Sequence, residues 1–242
     1  MHPSLPPDPL TLTGGCFCSA IRYTISIPAL ADRPPAIPDP VAPSPDGKGT
    51  QSAPTQLPIV DLDHCESCRR ACGSLFQTWI ILPLDWVSFS LVKRESGQGV
   101  RGPLDNRHDG EGGEDEASNL LKPDTASVGV PNDELRSQTY LGAYCSRPNR
   151  NRTFCARCGT GVTFFYDGER PPEHSGPRSI DIALGTLDKA SFETEGLRPD
   201  RHSWWTDGVR WVQGLVREGD GSVVEGGLVR HPKGAYQEAV VE

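Results

Sequence analysis

The 242-residue sequence shows no long apolar run, no visible signal-peptide pattern and no excess of basic residues. A membrane-spanning helix needs about 20 consecutive apolar residues, and no such run is present. The N-terminal region lacks the basic and then apolar segments of a signal peptide. We therefore expect a soluble, cytoplasmic protein that has no membrane partner.

Basic residues are also too few for a nucleic-acid-binding surface. Lys and Arg total 24 against 32 Asp and Glu, which gives a formal net charge of −8 and a pI of about 5.3. Affinity for phosphates needs a concentrated basic surface, so we expect no nucleic-acid partner. Hydrophobic residues make up only 36% of the chain, and part of it is therefore expected to lie outside the core.

Two long segments lack the apolar periodicity of a core element. Residues 28–58 contain nine of the 23 prolines, which is typical of an extended or disordered segment. Residues 94–135 contain seven glycines and ten acidic but only four basic residues, so they carry most of the net charge. We predict one domain over residues 10–218 with these two insertions, followed by a tail at 219–242. We expect folding to survive removal of both insertions.

The remaining sequence is dominated by short strand patterns. In "AIRYTISI", residues 20–27, apolar and polar residues alternate with the period of a half-buried strand. "LFQTWIIL" and "WVSFSLV" flank "PLD", which predicts an antiparallel pair that turns at Pro83. "GVTFFYD" and "SIDIAL" predict two further strands, and "ESCRRACG" predicts a short helix. The predicted fold class is mainly β, a small antiparallel domain whose loops carry the cysteines.

Eight cysteines without a secretory signal favour metal ligation over disulfides, because the cytosol keeps thiols reduced. The most specific local pattern is "FCARCGT", a Cys-x-x-Cys-Gly zinc knuckle that supplies the thiolates of Cys155 and Cys158. We expect the "CFC" pair, Cys16 and Cys18, to point to one face of a strand and to complete a four-thiolate zinc site. The alternative is four unrelated buried thiols.

A second group of donors lies in "DLDHCESCRRACGS". Asp63, Cys65 and Cys68 could supply three ligands and leave a fourth position open, as in a catalytic zinc site. In the alternative, Cys65 and Cys68 are small buried hydrophobes and Asp63 is the N-cap of the following helix. Cys72 could replace Asp63 as the third ligand, and His64 could also be a ligand. The sequence leaves the identity of this ligand open.

Five segments together resemble a known family, the glutathione-dependent formaldehyde-activating enzymes, whose domain is shared with the centromere protein V group. In chain order they are "GGCFCSAIRYTI", "DHCESCRRACGSLFQTWIIL", "RTFCARCGTGVTFFY", "IDIALGTLD" and "RPDRHSWWTDGVRWV". The resemblance covers most of the chain outside the two insertions. It implies a β-tent fold, one structural zinc held by four cysteines, and a second zinc near the surface. The structural zinc falls on Cys16, Cys18, Cys155 and Cys158.

The second zinc falls on a group that departs from the family pattern. Asp63 stands where the family has the first of three cysteine ligands, ahead of Cys65 and Cys68. Ser19 also replaces a usual glycine, and Cys72 replaces a threonine or serine. A carboxylate is a harder and weaker donor than a thiolate, so Asp63 should make the metal more electrophilic and favour an oxygen ligand.

The resemblance implies a zinc-dependent carbon-sulfur lyase, S-(hydroxymethyl)glutathione synthase, that acts on formaldehyde and glutathione. A related elimination, addition or hydrolysis on another small thiol or carboxylate stays open, because function depends on the site rather than on the fold. We predict catalytic roles for Asp63, His64 and His202, the last as a proton donor or acceptor. We also predict that Arg69 or Arg70 binds a substrate carboxylate.

Two alternatives stand beside this prediction. His202 could simply anchor a C-terminal turn beside two tryptophans. The chain could also be a non-catalytic, zinc-stabilised binding module with a degenerate second site, since one family cysteine is missing and an acidic insertion is present. Metal content separates the two classes, because an enzyme would hold two zinc ions and a module a single tight one.

Overall fold

A computed structural model describes residues 5–36, 56–94, 119–169 and 176–218. Most of each predicted insertion and the predicted tail lie outside the described residues.

The described residues form eleven strands and five helices, and the prediction of a mainly β fold is confirmed. The strands are β1 (Leu10–Gly15), β2 (Ile21–Ile27), β3 (Ile59–Asp63), β4 (Gln77–Pro83), β5 (Val87–Val92), β6 (Leu120–Leu121), β7 (Leu141–Arg147), β8 (Arg150–Cys155), β9 (Gly161–Tyr166), β10 (Ser179–Ala183) and β11 (Arg201–Ser203). The helices are α1 (Glu66–Cys72), α2 (Thr125–Gly129), α3 (Asp133–Gln138), α4 (Lys189–Phe192) and α5 (Arg210–Glu218). The predicted short helix is α1, and Gly73 ends it with a φ of 67°.

The strands form two sheets. One has four strands in the order β1-β2-β5-β6, and the other has seven in the order β11-β3-β4-β10-β9-β8-β7. Every pairing is antiparallel except that of β11 with β3. The parallel pair matters for the site because it places His202 beside Leu62 and Ser203 beside Asp63.

The core lies where the two sheets contribute side chains to one apolar cluster. The alternation predicted for β2 is confirmed, because its odd-numbered side chains from residue 21 to residue 27 are all buried. These meet Phe89 of the smaller sheet and Ile80, Ile182 and Phe165 of the larger one. A second, smaller cluster of Cys68, Trp79 and Ala183 is separate from this core.

The predicted pairing of "LFQTWIIL" with "WVSFSLV" is wrong. β4 is flanked by β3 and β10, whereas β5 belongs to the other sheet and pairs with β2 and β6. A 3-10 turn, Leu84–Trp86, carries the chain from one sheet to the other. Both edges of β4 are already paired, so β5 finds its hydrogen bonds elsewhere.

The predicted insertion at 94–135 is also too long. Its last part, from residue 119, forms β6, α2 and the start of α3. Val128 and Leu135 from these helices belong to the main core, and Val128 is 0% exposed. Asp124 and Asn132 cap the two helices through their side chains. Removal of this whole segment would delete these core side chains, so survival of folding after that deletion stays a prediction. Single core side chains on short helices leave no periodic pattern in the sequence.

Candidate metal centres

The four cysteines predicted for a structural zinc come together in the fold. Cys16 and Cys18 lie in the turn between β1 and β2, Cys155 ends β8, and Cys158 lies in the turn before β9. Their sulfur atoms all lie within 4.8 Å of one another. We call this group centre 1. It links two turns whose cysteines are 137 positions apart.

The expectation that Cys16 and Cys18 lie in a strand is wrong. β1 ends at Gly15, and a turn closed by a hydrogen bond of 2.9 Å from Ser19 N to Cys16 O follows. Ser19 has a φ of 59°, a backbone conformation that favours glycine. The turn, rather than strand alternation, directs both thiols to the same point.

The spacing of the sulfur atoms in centre 1 fits zinc. Cys18 Sγ lies 3.7 Å from both Cys16 Sγ and Cys155 Sγ. A tetrahedral zinc with Zn–S bonds of about 2.3 Å separates its sulfur ligands by about 3.8 Å. Two of the sulfur–sulfur distances have this value and all four sulfurs lie within 4.8 Å of one another, which matches the donor set of a closed structural site.

Hydrogen bonds to the sulfur atoms of centre 1 favour a negative charge on Cys16. The backbone N of Ile21 donates to Cys16 Sγ at 3.3 Å. The hydrogen bond with Cys155 lowers the pKa of Cys16 to about 5, and the same bond raises the pKa of Cys155. Four sulfurs this close cannot all ionise without a positive charge among them. A bound divalent cation removes that conflict, so the residues fit a metal ion.

Asp63, Cys65 and Cys68 form a second group, which we call centre 2. Their ligand atoms lie within 4.8 Å of one another, and Asp63 and Cys68 are buried. Neither alternative ligand belongs to this group. Cys72 is exposed, and its thiol lies against backbone oxygens, 3.5 Å from Arg69 O.

Centre 2 is shaped by the start of α1. Cys65 is the helix N-cap, and its sulfur accepts a hydrogen bond of 3.3 Å from Cys68 N. Asp63 Oδ1 accepts from Cys65 N at 2.8 Å, so the alternative in which Asp63 itself caps the helix is wrong. The hydrogen bond with Cys68 lowers the pKa of Cys65 to about 6, and that bond raises the pKa of Cys68. A buried carboxylate and two thiols fit a metal ion with one position left for another ligand.

His64 and His202 meet beside centre 2. His64 Nε2 lies 3.0 Å from His202 Nδ1, and the ring centroid of Trp205 lies 5.0 Å from that of His64. The pairing of β11 with β3 brings them together, and His64 N donates to Ser203 O at 3.0 Å. Burial lowers the pKa of both histidines, which favours their neutral forms. Their predicted catalytic role stays a prediction.

A cavity of about 620 Å³ lies near centre 2. Its lining includes Arg152, which contacts Cys68, but none of the three donors of centre 2. β9 and β10 pair over only two residues, Phe164 with Asp181 and Thr163 with Ile182. The cavity lies beyond that short pairing, lined on one side by residues of β4 and on the other by residues of β8 and β9. It therefore lies between the half of the sheet that carries centre 2 and the half that carries Cys155.

Arg152 of β8 lines the cavity and contacts centre 2, a position that no sequence pattern predicted. Its Nη2 donates to Cys68 Sγ at 3.1 Å. No sequence signal singled it out, because several other arginines lie close to it in the chain. Arg69 and Arg70 do not line this cavity, and Arg70 pairs with Glu66 at 3.2 Å on the surface. Substrate binding by these two arginines stays a prediction.

Asp61, two residues before Asp63, makes the stability of this region depend on pH. Burial raises its pKa to about 7, against a hydrogen bond from Ser203 that lowers it. A carboxyl with a raised folded-state pKa binds its proton more tightly in the folded chain, so stability falls as pH rises from about 4 to 7. We expect Asp61→Asn to be more stable than wild type at pH 8, by about 2–4 kcal/mol.

Urea unfolding of both proteins at pH 5 and pH 8 measures this effect. The advantage of Asp61→Asn should be larger at pH 8, whereas Asp85→Asn, an exposed control, should show no such difference. An advantage that is equal at the two pH values would contradict the raised pKa.

No family model matches the chain, and no curated protein matches it. The resemblance to the formaldehyde-activating enzymes therefore stays a sequence-based interpretation. Over the described ranges, every helix is too short or too polar to cross a membrane, and the cytoplasmic location stays a prediction.

Proposed function

We propose that this chain is a zinc-dependent enzyme of lyase type that acts on a small molecule at centre 2. The supporting observation is the contrast between the two centres. Centre 1 has four sulfur donors, which close a tetrahedral site, whereas centre 2 has three donors and contacts Arg152, which lines a nearby cavity. A zinc ion at centre 2 would supply a Lewis acid for a carbonyl oxygen or lower the pKa of a water or thiol.

The histidine pair supplies a route for protons. His64 is buried and next to Asp63, while His202 is exposed to solvent. Their 3.0 Å contact joins the neighbourhood of centre 2 to the surface. Neutral imidazoles can both accept and donate a proton, so the pair can carry one to or from a reacting group.

The reaction class follows from the family resemblance and from the donor set. The family reaction is addition of a thiol, glutathione, to formaldehyde in a carbon-sulfur lyase. Asp63 supplies a carboxylate where the family has a thiolate, which favours oxygen-bearing substrates. The substrate is therefore a small carbonyl compound, handled with a thiol or by a related addition or elimination.

Metal content and turnover test the proposal together. Purified protein should contain two zinc ions per chain, one of which a chelator removes while the chain stays folded. Formation of the glutathione–formaldehyde adduct, or turnover of other carbonyl compounds, should disappear with that ion and return when zinc is restored. A single tight zinc ion without turnover would instead identify a zinc-stabilised binding module.

A further inference from the structure

The charge of the cavity near centre 2 is opposite in sign to the net charge of the chain. Among the described residues that line it, Arg152 alone is charged and none is Asp or Glu, although the chain carries a net charge of −8. Elsewhere in the described residues, other arginines have carboxylate partners, as Arg22 has in Asp188. Among the described residues no carboxylate pairs with Arg152.

Most of the hydrogen-bonding capacity of Arg152 is unused. The residue is 5% exposed, and its Nε is buried without a hydrogen-bond partner in the described structure. One contact, from Nη2 to Cys68 Sγ, occupies a single donor of a group that has five. A buried polar group without partners is costly, so a site that keeps one is suited to a ligand that supplies them.

The geometry of Arg152 suits a carboxylate. Its guanidinium carbon lies over the ring of Phe164, 5.1 Å from the centroid, and this contact helps to hold the guanidinium in place. A planar guanidinium with two free N–H groups binds a carboxylate through two parallel hydrogen bonds. The low exposure of Arg152 strengthens such a charge-assisted pair.

The rest of the cavity suits a flat apolar body. Phe76, Trp79, Tyr144 and Phe154 contribute aromatic surface to its lining. A volume of about 620 Å³ is within the range of pockets that enclose one small organic molecule. Uncharged hydroxyl and amide side chains also line the cavity, and Arg152 supplies its charge. Aromatic walls with a single charged anchor are typical of sites that orient a ligand by one charged end.

We propose that this cavity binds a small aromatic carboxylate, with the carboxylate on Arg152 and the ring against the aromatic walls. This inference rests on the proposed function in one respect. If centre 2 is catalytic, the bound carboxylate is its substrate, and the charged end of that substrate lies next to Cys68. The binding itself depends on Arg152 and needs no metal.

Calorimetric titration of the full-length protein tests this site with a matched pair of probes, 2-naphthoate and 2-naphthamide. The two probes have the same ring system and differ in charge. We expect wild type to bind the carboxylate at least tenfold more tightly than the amide. This comparison uses wild type alone, so it holds even where a variant fails to fold.

Substitutions at Arg152 then test whether the carboxylate of the probe binds to this side chain. Arg152→Gln should weaken naphthoate binding at least tenfold, and Arg152→Lys should restore part of it. Arg178→Gln is the matched control, because Arg178 also lies over a phenylalanine ring, at 5.2 Å, but lies outside the cavity lining. It should bind like wild type.

Asp63→Ala separates this inference from the proposed function. Naphthoate affinity that survives Asp63→Ala supports the Arg152 site, whether or not the protein proves to hold a second zinc ion or to turn over a substrate. Affinity that falls in Asp63→Ala and persists in Arg152→Gln would place the anion on the metal and overturn the inference. Equal binding of naphthoate and naphthamide by wild type would also overturn it.

Discussion

Replacement of Cys158 by serine is expected to abolish cooperative folding of the domain. Centre 1 brings together four ligands from the β1–β2 turn and the β8–β9 turn, which belong to different sheets. Structural zinc in small sites contributes on the order of 10 kcal/mol to folding. That is as large as the whole stability of a typical domain, about 5–15 kcal/mol, so loss of one ligand should leave no stable fold.

Thermal unfolding followed by circular dichroism, together with zinc analysis, measures the effect. Cys145→Ser is the matched control, because Cys145 is exposed and belongs to neither donor group. It should keep the wild-type melt and zinc content. A Cys158→Ser protein that melts cooperatively at the wild-type temperature would contradict a structural role for centre 1.

The cysteine spacing predicted both centres because metal ligation restricts geometry more tightly than apolar packing does. "FCARCGT" and "CFC" led to the four sulfurs of centre 1 although 137 positions separate the two pairs. The order of Asp63, Cys65 and Cys68 indicated centre 2, and the structure groups these three rather than Cys72. Ligands that are close together in a turn or at a helix start can adopt few conformations, so their arrangement can be predicted from the sequence.

Pairing between strands was less predictable. The alternation in β2 showed which side chains are buried, and the structure confirms it. A period of two shows which side chains face the core but not which strands pair with each other. The assignment of β4 and β5 to separate sheets therefore could not be derived from their patterns. The core residue Val128 was missed for a related reason, since α2 has only five residues and shows no full helical period.

The burial of Arg152 also could not be predicted from the sequence. In sequence it is one of four arginines between residues 147 and 157, and nothing in the pattern distinguishes it from its neighbours. The fold buries it because it shares a register position with Phe164 and lies across from Cys68. A contact between side chains 84 positions apart depends on the packing of α1 against the sheet, which no local pattern encodes.

Removal of the Asp63 carboxylate is expected to eliminate metal binding at centre 2 while centre 1 stays intact. In Asp63→Ala, zinc content should fall from two ions per chain to one. Asp63 supplies one of three donors, and loss of a direct ligand costs more than the about 10–100-fold in affinity seen for outer partners. Asp167→Ala removes an exposed carboxylate and should leave the zinc content unchanged.

Asp63→Asn separates the two roles of this side chain, since its amide oxygen can still accept the hydrogen bond from Cys65 N. If the carboxylate is a ligand, Asp63→Asn should lose the second zinc ion as Asp63→Ala does, yet melt close to wild type. Full zinc retention in both variants would show that Asp63 only supports the turn before α1.

Exchange of the carboxylate for a thiolate should change the reaction rather than the metal content. Asp63→Cys restores the three-cysteine ligand set that the resemblance implies, and thiolates leave zinc a weaker Lewis acid than a carboxylate does. We expect formation of the glutathione–formaldehyde adduct to rise by about tenfold, and turnover of carbonyl or ester substrates to fall by a similar factor. Assays of both proteins at equal zinc content decide the matter, because indistinguishable activities would mean that the Asp63 oxygen has no part in selecting the substrate.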